Sequence, residues 1–284
     1  MEKVINKYFE GERALFNCSN IDIQDSVFAN GESPLKESSN INLTKTSFNW
    51  KYPLWYSKEI KLLSCELSET ARSGIWYTND ISIENSIINA PKTFRYSNNI
   101  KLNNVDLLNA EETLWNCKDI VISHSKIKGD YFGFNSSNLT LSNIQIDGNY
   151  SFDSAKNIVI KDSILNSKDA FWNCENVRVE NSIIKGEYLG WNSQNITFVN
   201  CEIESLQGLC YIENLAMVGC RLINTNLAFE YSTVNVSVIG EIESIKNPKS
   251  GRISADFINE IIIETDKVNP NLTEIMIGGN KYEI

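Results

Sequence analysis

Trp55, Trp76, Trp115, Trp172 and Trp191 recur at intervals of 19–21 residues or multiples of that spacing. Phe16 and Phe134 fall at the same phase, and so do Lys36, Arg95 and Asp153. A position that alternates between aromatic rings and full charges reads as an outward stripe, because an inward column excludes charge. Rings beside carboxylates and a guanidinium suit saccharides: pyranose faces pack on aromatic planes, and hydroxyls take hydrogen bonds from charged groups. Arg95, one repeat from both Trp76 and Trp115, is spaced for cation–π contact on either side. The candidate ligand-binding residues are therefore Trp55, Trp76, Arg95, Trp115, Phe134, Trp172 and Trp191, with Lys36 and Arg72 beside them. Arg95, Glu112, Asp130 and Glu37 are the candidate catalytic groups for a lyase or glycosidase, a chemistry decided by the separation of the carboxylates. The alternative is that the rings are core and the register of this strand is off by one residue.

The stripe is carried by a repeat. An Asn or Asp followed by two apolar residues one apart occurs throughout, as Ile21/Ile23, Ile41/Leu43, Ile81/Ile83, Ile120/Ile122, Ile158/Ile160 and Leu215/Met217. Asn and Asp tolerate left-handed backbone and suit a tight corner, where stacked amides can ladder. Seven residues after the first apolar position stand Phe28, Phe48, Leu67, Ile88, Leu107, Ile127, Ile146, Leu165, Ile184, Ile203 and Leu222, never a polar residue. Six before it stand Leu15, Leu35, Leu54, Ile75, Phe94, Leu114, Phe152, Phe171 and Leu209, interrupted by Gly133 and Gly190. Three short stretches per repeat with period-two alternation, and no helical spacing, predict three strands per coil. The predicted fold is an all-β, single-stranded right-handed parallel β-helix of 11–12 coils. Its expected limits are an N-terminal cap over 1–13, the helix over 14–239 and a C-terminal cap over 240–284. A longer period supports the coil length, since Lys128–Asn135 recurs as Lys185–Asn192 and Leu114–Cys117 as Phe171–Cys174, each 57 residues on.

Other chemistry is sparse. The single histidine, His124, falls in a polar corner column with Asp25, Asn85, Asn104, Asn143, Asp162, Asn181 and Asn200, which favours a structural role. The paired aspartates and Arg-x-Lys of polygalacturonases are absent. The seven cysteines lack CxxC spacing, and six share two columns that otherwise hold mostly Ser, so they read as packed thiols rather than a metal site. There is no phosphate loop, zinc motif or nucleophile elbow. No cofactor is expected.

The net charge of −10, with 36 acidic and 26 basic residues, argues against nucleic acid or an anionic membrane as partner. The first residues lack a signal-peptide apolar core, no stretch approaches a membrane span, and the cysteine count is odd; a cytoplasmic location is expected.

The segments Gly31–Ser38, Tyr52-Pro-Leu-Trp-Tyr56, Gly74-Ile-Trp-Tyr77, Ala90–Arg95, Glu112–Cys117 and Gly129-Asp-Tyr-Phe132 resemble an uncharacterised bacterial family with a domain of unknown function. The resemblance covers nearly the whole chain and implies a right-handed β-helix, with no activity or catalytic residue to carry over. Its phrases overlap the aromatic and charged face. Three uses of that face follow: a saccharide-binding or interaction scaffold, a carbohydrate-active enzyme, and a homo-oligomer interface.

Overall fold

A computed structural model describes residues 1–283. The chain is an all-β, right-handed parallel β-helix that divides into two compact units, Met1–Asp147 and the residues from Gly148 onward. In the first unit the corner phrase opens a long strand in every coil: Ser19–Gln24, Ser39–Thr44, Lys58–Leu63, Asn79–Ile88, Asn98–Leu107, Lys118–Ser123 and Ser137–Ser142. They pair parallel and in register, Ile21 against Ile41, then Ile60, Ile81, Ile100, Ile120 and Leu139. Because the register never slips, the apolar columns stay inside: Ile41, Ile60, Ile81, Ile100 and Ile120 are all buried. Burying each such side chain contributes about 1.5–3 kcal/mol. Phe9, Phe28 and Phe48 stack at 4.7 and 4.9 Å in the column seven residues on. The second unit repeats the plan with Lys156–Lys161, Glu175–Glu180, Gln194–Val199, Glu213–Ile223 and Thr233–Val238, with Ile158, Val177, Ile196, Leu215 and Val234 aligned.

The corners explain the polar columns. Asn20, Asn40, Asp80, Asn99, Asp119 and Asn138 in the first unit, and Asn157, Asn176, Asn195 and Asn214 in the second, all have φ between 53° and 64°. Their amides ladder from coil to coil, as in Asn40 to Asn20 at 2.7 Å and Asn195 to Asn176 at 3.0 Å. His124 has φ 50° and an exposed side chain, as a corner residue would. Gly129 and Gly186, the glycines of the recurring Lys-Gly-Asp/Glu-Tyr phrase, have no room for a side chain. A Cβ there would lie 2.4 Å from the Glu111 nitrogen or 2.0 Å from the Ser167 carbonyl oxygen.

Beside the corners run spines of buried hydroxyls. The chain turns inward there, and its N–H loses a backbone acceptor. The Oγ of the next coil supplies one: Ser57 N–H donates to Thr78, Thr78 to Ser97, Cys117 to Ser136 and Cys174 to Ser193, over 2.8–3.2 Å. Each hydroxyl then donates to a carbonyl, as Ser136 does to Leu114 at 2.7 Å. Cysteines occupy some of these places. Cys174 Sγ reaches the Phe152 carbonyl at 2.9 Å, and burial pushes the Cys117 thiol up to about 12.

The parallel ladder runs further than the repeat phrase suggests. Glu2–Ile5, within the segment expected as an N-terminal cap, pairs parallel with the Ile21 strand. Ser250–Ala255 and Thr273–Ile277, within the expected C-terminal cap, continue the parallel pairing after Thr233–Val238. The 11–12 coils read from the sequence therefore gain one before and two after. The phrase fails to mark them because Glu2, Gly251 and Thr273 stand where an apolar residue begins the other coils. The last of these strands closes in an antiparallel hairpin with Asn280–Tyr282.

The spine has a direct test. Ser136→Ala leaves the buried Cys117 N–H without an acceptor and is expected to cost about 1–3 kcal/mol. Ser136→Cys, copying the neighbouring coil, should cost less. Urea unfolding midpoints measure both, and an alanine variant as stable as the wild type would refute the role given to the hydroxyl.

Candidate functional site

In the first unit the strands Ile75–Trp76 and Phe94–Arg95 pair parallel, and Arg95 bridges to Trp115. Ile75, Phe94 and Leu114 point inward and are fully buried, which turns Trp76, Arg95 and Trp115 outward. The register is therefore the one that makes the rings a surface stripe. Trp55 stacks on Trp76 with centroids 5.0 Å apart and planes 7° from parallel. The Arg95 guanidinium sits between rings, 5.0 Å from Trp76 and 4.4 Å from Trp115, and Trp115 meets Phe134 at 4.9 Å. The indole N–H groups are already used: Trp76 donates to the Lys92 carbonyl at 2.7 Å and Trp115 to that of Tyr131 at 2.8 Å. Ring faces lie against neighbours along the stack, so these rings present mainly their edges to solvent.

Charge closes around Arg95. Glu112 accepts from Arg95 and, at 3.1 Å, from Lys92. Burial pushes the Glu112 carboxyl up, but its bonds and attraction to Lys92 and Arg95 outweigh that and hold it below the usual carboxylate range. A carboxylate held ionised in this way is poorly suited to donate a proton near neutral pH. Arg95 Nε is buried with no hydrogen-bond partner among the described residues, so one donor of the fork remains uncommitted. Of the other candidates, Lys36 lies 5.5 Å from the Tyr56 ring centroid and 3.8 Å from Glu37. Arg72 and Asp130 are exposed, and the Asp130 carbonyl accepts from the Glu112 N–H at 2.9 Å.

One residue after the stripe runs a second column that the sequence candidates did not include. Tyr56, Tyr77 and Tyr96 stack at 4.8 and 5.2 Å with planes 5° apart, each in left-handed backbone. The next coils place Asn116 and Asn135 in this column, where the Asn135 side-chain amide donates to Asn116 Oδ1 at 2.6 Å. The tyrosine stack therefore ends in a step. The Tyr96 face toward Asn116 carries no ring among the described residues, and the side chain is 50% exposed. The signal was present in the sequence as three tyrosines at repeat spacing.

The second unit holds Trp172 and Trp191, stacked at 5.9 Å and 14°, with their N–H groups on the Tyr188 and Gln207 carbonyls. Trp191 meets Tyr211 at 5.2 Å and Tyr211 meets Tyr231 at 5.3 Å. Neither tyrosine stood among the sequence candidates. Asp169 is buried with Oδ1 unpartnered among the described residues; burial pushes its carboxyl up, opposed by Lys168. Thus the first unit brings Trp55, Trp76, Arg95, Trp115 and Phe134 into one column, with Glu112 bound to Arg95, while Trp172 and Trp191 form a separate pair.

The ionic knot predicts a pH dependence. Because the folded carboxyl titrates below its ordinary value of 4.5, the stabilisation by Glu112 is present above that value and fades as pH falls through the lower folded one. Glu112→Gln is expected to cost about 1–3 kcal/mol at pH 7. The gap in melting temperature between variant and wild type should shrink below pH 4.5. A gap that stays constant to pH 3, on the order of the acid range where carboxylates protonate, would exclude the ionised pair as its source.

Comparison with solved structures finds a tailspike protein of an Escherichia coli bacteriophage in complex with a hexasaccharide, at 10% identity and TM-score 0.44. It matches 90% of this chain and 61% of its own, so the chain spans less than two thirds of that protein. A mannuronic acid specific family 6 polysaccharide lyase from human gut microbiota matches at 10% identity and TM-score 0.42, covering 97% of this chain and 81% of its own. The surface adhesin PfbA of Streptococcus pneumoniae matches at 11% and 0.36, covering 81% and 72%. No curated protein matches the chain. Residues 2–276 match the model described as "Protein of unknown function (DUF3737)", and the chain belongs to that family.

Proposed function

We propose that the protein is a carbohydrate-binding scaffold whose ligand lies along the outward aromatic and charged face. The observation that carries this reading is the step at Tyr96, a half-exposed residue where the tyrosine stack ends and the Asn116 and Asn135 amides continue the column, beside Trp115 and Arg95. A pyranose needs an apolar plane for its C–H face and fixed donors and acceptors for its hydroxyls. Here the ring is held by the tyrosine stack and the amides by their own ladder, so little side-chain entropy remains to be lost on binding. Trp55, Trp76, Phe134, Lys36 and Arg72 would extend this surface, and Trp172 and Trp191 its counterpart in the second unit. Glu112, held ionised by Arg95 and Lys92, adds a polar edge to this surface without proton transfer.

A glycan array probed with the wild type, Tyr96→Ala, Tyr96→Phe and Trp115→Ala tests the reading. Tyr96→Ala and Trp115→Ala should weaken binding about tenfold, while Tyr96→Phe, which keeps the plane, should stay within about threefold. A wild type that binds no glycan, or a Tyr96→Ala variant that binds as well as wild type, would count against it.

A further inference from the structure

The second unit contains an open cleft of 760 Å³ that the stripe does not account for. One wall is the segment around Lys267–Leu272, held in place from below. The Asn247 side chain is buried and exchanges two hydrogen bonds with Glu264, donating to its carboxylate at 2.6 Å and accepting from its N–H at 2.8 Å. Val268 then tucks beneath the segment. The floor is the spine at Cys174, Ser193 and Ile212, and one end is closed by the rings of Tyr211 and Tyr231, with planes tilted by 45°. The volume falls within the range of about 300–1,000 Å³ typical of small-molecule sites.

The polar groups of the cleft sort into those already satisfied and those still available. Lys156 is paired with Glu175 at 2.8 Å and Lys267 with Glu264 at 2.7 Å, so these charges are closed on themselves. The amide ladder ends here: Asn192 donates to Asn173 at 2.8 Å, and the next coil carries Tyr211, so among the described residues no amide continues the ladder to the Asn192 Oδ1. The Gln194 amide, the Glu213 carboxylate and the Lys249 ammonium likewise have no side-chain partner among the described residues. The open set is thus acceptors and donors in mixture, one free negative and one free positive group, and two rings at the end. An anion or a cation would leave one of the two free charges opposed to it. A ligand with many hydroxyls and no net charge satisfies both.

We infer that this cleft is a binding site for a neutral oligosaccharide, with the exposed part of Tyr211 as its aromatic wall and Asn192, Gln194, Glu213 and Lys249 as hydroxyl partners. The inference rests on the carbohydrate reading above for its ligand class, but on different residues. The test uses an array of neutral and uronate-containing oligosaccharides, followed by calorimetric titration of the best neutral one. Four proteins are compared: wild type, Gln194→Ala, Tyr211→Ala and Tyr96→Ala, with melting temperature as the folding control. Gln194→Ala removes only an exposed amide, so it reads binding even if Tyr211→Ala unfolds. The expected result is a neutral glycan whose binding falls about tenfold in both cleft variants, while Tyr96→Ala weakens a different set of glycans on the array, those held by the first face. Binding confined to uronate glycans, or cleft variants within about twofold of wild type, would overturn the cleft. If Tyr96→Ala alone loses binding across the array, the cleft fails and the first face stands; if every bound glycan is lost by the cleft variants and none by Tyr96→Ala, the cleft stands and the first face fails.

Discussion

The structure depends on what happens to backbone N–H groups where the chain turns a corner. A strand in a parallel ladder has its hydrogen bonds supplied by the coils on either side, but a corner residue pointing inward does not. A buried N–H left without a partner costs about 1–3 kcal/mol, and the cost recurs in each coil. The hydroxyl of Thr78, Ser97, Ser136 or Ser193 removes it by accepting from the coil before and donating to a carbonyl. Where the column holds a hydroxyl this bond ties a coil to the one before it, while the parallel backbone ladder sets the spacing of every column.

That fixed spacing makes the outer face possible. Stacked coils bring equivalent side chains to about 4.8 Å, close to the separation at which aromatic rings pack face to face. Trp55 on Trp76 and Tyr56 on Tyr77, at 5.0 and 4.8 Å, express the same repeat as the amide ladders. A guanidinium fits between two indoles for the same reason, which is why Arg95 stands in an aromatic column without breaking it. The consequence for recognition is that continuous stacks use their faces internally. Recognition then concentrates where a column changes residue type, as it does at Tyr96 in one unit and between Asn192 and Tyr211 in the other.

Much of this was legible in the chain. The columns of Ile, Leu and Phe, the Asn corners, the corner role of His124 and the packed cysteines follow from a period of 19–21 residues read with alternation. The charges at Lys36, Arg95 and Asp153 were enough to argue that the stripe faces outward. The first and last coils escaped because Glu2, Gly251 and Thr273 replace the apolar residue that opens the phrase, while backbone pairing continues without it. Tyr56, Tyr77 and Tyr96 formed a visible column, but that their stack ends in an open face depends on Asn116 as its neighbour in space.

Sequence by itself determined the coil, because each inward position is tested against the same neighbours in every repeat and tolerates only apolar or small residues. It also determined which strand carries the aromatic face, through alternation. Tertiary structure alone decided how that face is used. Whether a ring offers its plane or its edge depends on the residue one coil away, and whether Glu112 is free or bound depends on Arg95 and Lys92 converging on it. The cleft beside Tyr211 exists only because Asn247 holds Glu264 and the segment that follows it. These are contacts between residues 17 or more apart with no repeating pattern, so no column of the sequence records them.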